Sequence, residues 1–207
     1  VLGAFISVLP EKITGAANGA NTSAVFAGTN PNNGKRYVYL ETLGGGMGAR
    51  FTKDGKDGVQ VHLTNTSNLP VEAIEMEYPL RVEEYSFVEN SGGAGKYRGG
   101  LGIRRIIRPI AHKCEFSGVG ERFKHSPWGV FGGQPGKPGK FYLKHKNGKI
   151  TNLSSKSSSI YTNENDAIVM ETPGAGGDGN PKKRTKNNIL KDKISGKFSN
   201  SFLKKYY

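Results

Sequence analysis

Polar and ionisable side chains are concentrated in residues 54–75, where their types could support proton transfer on a polar substrate. Asparagine, threonine and proline in this segment are turn formers, so we predict a loop that displays the polar groups at a strand end. His62 could then serve as a general acid or base. The residues concerned are Asp54, Asp57, His62, Asn65, Asn68, Glu72 and Glu75.

Two other interpretations of residues 54–75 stay open. A surface turn whose asparagine and aspartate side chains bond to their own backbone would have the same composition, and composition alone favours it. A metal centre is the weaker alternative, because the segment has no HxH, HxxxH or paired-cysteine spacing.

His112 and Cys114 are two residues apart, which places them on one face of a predicted strand. A Cys–His nucleophilic pair is conceivable. The apolar neighbours Ile110 and Phe116 favour instead a buried, structural cysteine.

Four arginines lie in or just after the glycine-rich segment 91–105. They could hold a carboxylate or a phosphate through paired hydrogen bonds. An equally plausible alternative pairs them with the acidic residues between positions 72 and 89, across a sheet or a subunit contact. The four are Arg98, Arg104, Arg105 and Arg108.

Glycine occurs in clusters, at residues 44–48, 91–102, 129–139 and 174–179. Ordered glycine costs backbone entropy, so we predict sharp turns or close backbone approach at these clusters. A phosphate-binding Walker loop is not expected, because Asn90 replaces its first glycine and Tyr97 its hydroxyl residue. The GxGxx(A/G) strings at 44–49 and 174–179 do not open a βαβ unit, so we predict no nucleotide site.

Composition excludes several classes of protein. The net charge of +13 is mostly lysine in residues 137–207, without the aromatic and arginine interleaving of nucleic-acid readers, so we predict a solvated lysine-rich surface. No apolar run approaches a membrane span, and no secretory signal is recognisable. A single cysteine fits a reducing compartment, and we expect a cytoplasmic protein.

The positioning elements are mostly short strands, so the predicted fold class is α+β, predominantly β, with Gly-rich turns and short C-terminal helices. Residues 153–159 and 182–186 are predicted as exposed connections, 71–77 as a short helix or a charged strand, and 187–194 as a helix. Ser199 is predicted to cap a last helix, with Phe198 and Leu203 as a hydrophobic staple. Predicted strands cover 35–43, 58–63, 84–88, 103–107, 113–119 and 167–172, with a hairpin over 141–150 that turns at Asn147-Gly148.

Taken in order, several motifs resemble the hydantoinase B/oxoprolinase family over essentially the whole chain. They are the glycine-rich run Glu41–Arg50, the segment Asp54–Val82 with its H-x-TNT-x-N-x-PVE pattern, Ser91–Gly102, Pro127–Gly136 and Thr172–Pro181. The last motif departs from the family pattern at Ala175, Asp178 and Asn180, which puts its specificity in question. The residues after position 186 resemble the family's closing helices.

The resemblance implies the carboxy-terminal portion of a B-type subunit in an ATP-dependent cyclic-amide hydrolase. The expected partners are an A-type subunit, which binds ATP and Mg and activates the substrate, and the amino-terminal half of the B-type subunit. A divalent metal is expected in that half and none in this chain. We expect a β-rich domain over residues 1–181 and a basic helical tail over 182–207, packed on it or on a partner.

Within this chain the resemblance directs the expected roles to five residues. His62 and Asn65 are the catalytic candidates, for proton transfer or substrate orientation, and Arg50, Glu72 and Arg98 are the substrate-binding candidates. Two alternatives stay open: a subunit of an ATP-dependent ketone carboxylase, and a non-catalytic scaffold that binds the A-type partner.

Overall fold

Alternation of apolar and polar residues accounts for most of the strands. The computed structural model describes residues 2–207. Three helices, α1 (Val71–Glu77), α2 (Lys186–Ile194) and α3 (Asn200–Tyr206), and two 3₁₀ turns (Leu2–Phe5 and Pro181–Lys183) accompany nine strands. The strands are β1 (Thr22–Thr29), β2 (Arg36–Leu43), β3 (Leu80–Phe87), β4 (Ile103–Pro109), β5 (Cys114–Val119), β6 (Lys140–Lys144), β7 (Ile150–Leu153), β8 (Lys156–Thr162) and β9 (Ala167–Glu171).

The strands form two antiparallel sheets, with orders β2-β1-β5-β8 and β3-β4-β9-β6-β7. Both sheets contribute their buried faces to one apolar core. Phe116 of the first sheet and Phe141 of the second meet edge to face, with ring centroids 5.8 Å apart. The predicted fold class, predominantly β within α+β, is therefore confirmed.

A second core consists almost entirely of backbone. Segment 174–178 runs through its centre and donates to its neighbours with a three-residue period. The N–H groups of Gly174 and Gly177 bond to Lys137 and Gln134, at 3.1 and 2.9 Å. The N–H groups of Ala175 and Asp178, also three residues apart, donate to the carbonyls of Gly100 and Tyr97. Three residues per turn without internal bonds is the geometry of a polyproline II helix, which here is surrounded by neighbouring segments.

Close approach explains the glycines of this second core. A Cβ atom on Gly176 would lie 1.9 Å from the carbonyl oxygen of Trp128, and one on Gly99 would lie 1.9 Å from that of Ala175. Neither carbonyl is a flexible side chain that could move aside. The glycine clusters therefore pack backbone against backbone. Together with the segments around them they form what we call the glycine core: segments 15–18, 44–50, 91–102, 127–137 and 173–179.

The chain ends in two short helices packed on the glycine core. Ser199 caps α3, since its Oγ accepts from the N–H of Phe202 at 3.2 Å. Phe198 and Leu203 are buried in one cluster with Leu101, as the staple prediction required. The helix prediction for 187–194 is confirmed by α2, whereas the division at residue 181 into two domains stays a prediction.

Three predicted elements are wrong. The predicted exposed connection 182–186 includes part of the 3₁₀ turn Pro181–Lys183 and the buried Arg184. Residues 58–63 form turns, because Val59 makes only an isolated bridge to Gly45 and His62 has a left-handed φ of 63°. Residues 153–159 are not a free connection, since β8 pairs with β5 and completes the first sheet. No helix in the described part of the chain has the length and apolarity that crossing a bilayer requires.

Candidate functional site

A cavity of about 690 Å³ lies between the predicted polar loop and the glycine core. The loop 58–71 forms one wall, and Gly44, Met47, Gly48 and Thr14 form part of the opposite one. Tyr85 of β3 closes one side. The cavity falls within the size range of small-molecule sites, and it brings together several polar residues of the loop.

Two amide side chains hold this loop in place. Nε2 of Gln60 donates to the carbonyl of Thr42 at 3.2 Å, and its Oε1 accepts from the N–H of Thr66 at 3.3 Å. Nδ2 of Asn68 donates to Oε1 of Glu41 at 2.9 Å and to the carbonyl of Thr42 at 3.0 Å. The loop is therefore attached to β2 at both ends.

Glu41 is itself held by a buried ion pair between the two sheets. Arg105 of β4 is fully buried and donates through Nη1 to Glu41. The guanidinium also stacks over the ring of Tyr85, 4.4 Å from its centroid, and the Tyr85 hydroxyl donates to Oδ1 of Asn68 at 3.1 Å. Arg105 thereby positions the cavity loop from the core. A charged residue on the apolar face of β2, between Tyr39 and Leu43, was the sequence signal for this pair.

Both predicted catalytic residues line the cavity. His62 and Asn65 are exposed side chains of the loop, and His62 also lines an adjoining cavity of about 750 Å³. The imidazole is thus accessible from two sides. This placement allows proton exchange with a bound molecule, whereas the roles themselves stay predictions.

Two of the predicted substrate-binding residues lie outside the cavity lining. Glu72 is exposed on α1, and only its neighbour Val71 reaches the cavity. Arg50 donates through Nη2 to the carbonyl of Asp54 at 2.9 Å, which directs it along the glycine core. Neither residue is therefore in contact with the cavity in this structure, and their substrate-binding roles stay predictions.

Arg98, the third, is occupied by carboxylates in a buried ion cluster. Its Nη1 and Nη2 bind Asp57 at 2.7 and 3.2 Å, and its Nε binds Asp192 of α2 at 3.1 Å. The residue is 6% exposed. The Arg98 guanidinium is thus bound to two carboxylates of this chain, and its substrate-binding role stays a prediction. Sequence reasoning missed this because Asp192 lies 94 positions away.

A second arginine completes this cluster. Arg184 binds Asp54 through Nη1 and Nη2 at 2.8 and 2.9 Å, and Asp192 through Nη2 at 2.7 Å. Lys197 binds Oδ2 of Asp57 at 2.7 Å. These groups attach α2 and the start of α3 to segments 54–57 and 96–101, and we call them the tail clasp: Asp54, Asp57, Arg98, Arg184, Asp192 and Lys197.

The other arginines also pair internally. Arg104 binds Glu171 and approaches Glu84 at 3.6 Å, and Arg108 binds Glu83 at 2.6 Å. The alternative that pairs the arginines with residues 72–89 across a sheet holds for Arg108 and for the longer contact of Arg104, because β3 and β4 are neighbours. Arg98 and Arg105 pair with carboxylates outside that run.

The tail clasp makes stability sensitive to acid. Burial alone would raise the pKa of Asp54 and of Asp57, but bonds from Arg184 and Arg98 respectively outweigh burial and hold each pKa below the ordinary 3.8. A lowered folded-state pKa contributes stability above the ordinary value, and this contribution is lost as the pH falls further through the folded-state pKa. We expect the free energy of unfolding to be steady near neutrality and to fall below about pH 4.

Unfolding by denaturant at a series of pH values measures this. The slope below about pH 4 should be shallower in Asp57→Asn than in the wild type, because one titrating group is removed. Glu164→Gln, at an exposed turn, should retain the wild-type slope. An unchanged slope in Asp57→Asn would contradict the assignment.

Cys114 and His112 do not form a catalytic pair. Cys114 is 1% exposed in the core between the sheets, and burial raises its pKa to about 12. Nε2 of His112 lies 2.6 Å from the hydroxyl of Tyr37. The favoured interpretation, a structural cysteine, is the one the structure shows.

Asp178 stands out within the last glycine motif. Its side chain is buried, and Oδ2 has no hydrogen-bond partner among the described residues. Burial raises its pKa, with Lys96 acting in the opposite direction. Asp178 lies in the glycine core and outside the cavity lining. An aspartate at this position of the family motif therefore bears on packing of the core before it bears on the cavity.

The donor set of the cavity is unlike a metal site. Among the described residues, the lining contains one histidine, no carboxylate and no cysteine. Within residues 2–207 no three His, Cys, Asp or Glu side chains are grouped as metal ligands would be.

Comparison with known proteins identifies the family. The family model of hydantoinase B/oxoprolinase matches residues 1–181, and the chain belongs to this family. An uncharacterised protein of Methanocaldococcus jannaschii is 42% identical over 96% of the chain, and the B-type subunit of a putative D-/L-hydantoinase from a Pseudomonas strain is 32% identical over 95%. The chain spans 34% and 33% of their lengths, so it corresponds to about a third of each relative.

More distant relatives and two solved structures extend the comparison. A 5-oxoprolinase of Dictyostelium discoideum is 40% identical over 68% of the chain, which covers 11% of that protein. An ATP-dependent caprolactamase of Pseudomonas jessenii has the same fold, with a TM-score of 0.85 at 24% identity, over 96% of this chain and 36% of that one. An acetone carboxylase gives 0.80 at 19% identity, over 98% and 31%.

Proposed function

We propose that this chain is the carboxy-terminal part of a B-type subunit in an ATP-dependent cyclic-amide hydrolase. In the proposal an A-type subunit binds ATP and Mg and phosphorylates a lactam or imide, and the B-type subunit opens the ring. A divalent metal, if the enzyme uses one, belongs to the part of the B-type subunit that precedes this chain. The lone cysteine supports a cytoplasmic setting.

The proposed step requires two proton transfers. Water attacks the activated carbonyl carbon and must lose a proton, and the ring nitrogen must gain one as the C–N bond breaks. The resulting acyl phosphate is hydrolysed by a second water to the acid and inorganic phosphate. His62 is placed to serve either transfer, and Asn65 offers an amide to orient the substrate. Arg50, Glu72 and Arg98 lie outside the cavity lining, and their substrate-binding roles stay predictions.

One observation carries the proposal. The family's H-x-TNT-x-N segment, residues 62–68, forms the wall of the 690 Å³ cavity, and a buried ion pair between the sheets holds it there. A loop with only a packing role would not need its histidine and asparagine exposed in a cavity.

Specific observations favour each of two alternatives. The fold shared with acetone carboxylase supports a ketone carboxylase subunit, which would consume bicarbonate together with ATP. Arg98 is bound in an ion pair of this chain and the glycine clusters pack against its own backbone, which supports a non-catalytic scaffold for the A-type partner. The scaffold alternative predicts that changes at His62 leave lactam hydrolysis unaffected, and the carboxylase alternative predicts bicarbonate-dependent ATP use in place of lactam hydrolysis.

The test is ATP-dependent hydrolysis of 5-oxoproline, hydantoin and caprolactam by the full-length protein with its A-type partner. His62→Asn is the informative variant, because asparagine tolerates the left-handed backbone at this position. We expect kcat/KM to fall about 100-fold or more, the usual contribution of a general acid or base.

His125→Asn is the matched control, an exposed histidine that does not line the cavity. It should retain wild-type turnover. Unchanged turnover in His62→Asn, with intact assembly on the A-type partner by size-exclusion chromatography, would remove His62 from the mechanism and favour the scaffold. Bicarbonate consumption would favour the carboxylase.

A further inference from the structure

The charges around the cavity are unbalanced. Within residues 2–207, its lining contains one lysine, Lys56, and one histidine, His62, but no aspartate or glutamate. The chain as a whole has 17 Asp and Glu, so their absence from this wall is a local property. Uncharged hydrogen-bonding groups make up the rest of the polar lining: Thr14, Gln60, Asn65, Thr66, Ser67, Asn68 and Tyr85.

Lys56 lies between the two aspartates of the tail clasp. Asp54 and Asp57 are taken up by Arg184, Arg98 and Lys197, so neither is left to neutralise it. Among the residues that the structure describes, Lys56 forms no ion pair, and it is exposed. Its cation is therefore available to a bound molecule.

The backbone beneath Lys56 is fixed from both sides. Its carbonyl accepts from the N–H of Met47 at 2.9 Å, and the neighbouring Gly55 and Gly58 donate to Arg98 and Leu101 at 2.7 and 2.9 Å. A lysine on mobile backbone would lose entropy on binding an anion. Here only the side chain has to be ordered, which lowers that cost.

We propose that the cavity binds cyclic amides that carry a carboxylate, and that Lys56 is the residue that selects them over neutral rings. This inference rests on the proposed function, because it names the substrate class of the same site. An ammonium–carboxylate bond with hydroxyl and amide donors nearby favours the acid over its neutral amide by about 10- to 100-fold.

The experiment measures equilibrium binding to the full-length protein without ATP, by isothermal titration calorimetry. The probes are 5-oxoproline, its neutral carboxamide and inorganic phosphate. We expect the wild type to bind the acid at least about 10-fold more tightly than the carboxamide. Lys56→Gln should remove this preference and leave affinity for the carboxamide unchanged.

Lys53→Gln is the control, since Lys53 is exposed three residues earlier and outside the cavity lining. It should keep the preference. Equal binding of acid and carboxamide, equal effects of Lys56→Gln on both, or no binding of either would overturn the inference. Lys56-dependent binding of phosphate but not of the acid would also overturn it, in favour of a phosphoryl ligand.

Because the assay contains no ATP, it separates two failures. Acid-selective binding without ATP-dependent hydrolysis would support the inference about Lys56 and reject the proposed function. Hydrolysis without acid preference would do the reverse.

Discussion

Gly176→Ala is expected to destabilise the protein more than any substitution on its surface. The new methyl group would lie 1.9 Å from the carbonyl oxygen of Trp128 and 2.5 Å from its carbon. The N–H and C=O of Gly176 also bond to Ala16 and Ala49, both at 2.9 Å, so the segment cannot withdraw without breaking them. Overpacking against backbone, together with those bonds, should cost about 3–5 kcal/mol.

That loss is a large fraction of ordinary protein stability, which is about 5–15 kcal/mol. Thermal unfolding should show it as a fall in Tm of roughly 6–20 °C, or the variant will accumulate as insoluble protein. Gly34→Ala is the matched control, because a Cβ there meets open space and only its φ of 69° resists alanine. The control should cost about 1–2 kcal/mol. Equal effects of the two variants would show that the glycine core is not tightly packed.

Asp192→Ala should release the last two helices from the rest of the chain. Its carboxylate is 4% exposed and accepts from Arg98 at 3.1 Å and from Arg184 at 3.0 and 2.7 Å. Removing it leaves two buried guanidinium groups short of a carboxylate. Breaking a buried ion pair from one side costs about 3–5 kcal/mol.

Hydrogen exchange and limited proteolysis of the full-length protein measure this release. Amides of α2 and α3 should exchange faster, and cleavage should appear within residues 186–207. Lys191→Ala, next to Asp192 on the same helix but exposed, is the control and should change neither readout. Protection equal to wild type in Asp192→Ala would mean that apolar contacts of Phe198 and Leu203 hold the tail without the ion cluster.

The glycine core and the tail clasp both bear on the cavity. Gly44, Met47 and Gly48 belong to the core and line one wall, and Lys56 lies between the two aspartates of the clasp. A change in α2 can therefore reach the cavity through the clasp and the backbone that the clasp holds. We expect partial loss of substrate affinity in Asp192→Ala, in parallel with the faster exchange.

Elements with strong local signals were predictable. β2, β4 and β5 follow from the alternation of apolar and polar residues. The β6–β7 hairpin follows from Asn147-Gly148, where Gly148 has a φ of 82°. The start of α3 follows from its serine cap. β1 and β8 were not predicted. Alanine, glycine, serine and threonine make up most of their residues, and they become strands because β5 pairs with both. What makes them strands is a tertiary contact, which the local sequence does not show.

Segment 58–63 is the opposite case, because it was predicted as a strand and does not form one. Its alternation of Val59, Val61 and Leu63 is that of a strand, yet Leu63 is fully exposed and His62 adopts a left-handed φ. Bonds from Gln60 to Thr42 and to Thr66 hold the segment as a turn. Alternation reports which side chains could share a face, but pairing requires a neighbouring strand, and none lies there among the described residues.

The sequence by itself determined the family, the predominantly β class and the loop that contains His62 and Asn65. These depend on local patterns, which persist whatever the distant chain does. Tertiary structure alone decided which charged groups are free. Arg98 is bound by Asp57 and Asp192, whereas Lys56 has no ion-pair partner in the part of the chain that the structure describes. Such pairs depend on partners up to 140 positions away, as between Asp57 and Lys197. Spacing along the chain does not encode such partners.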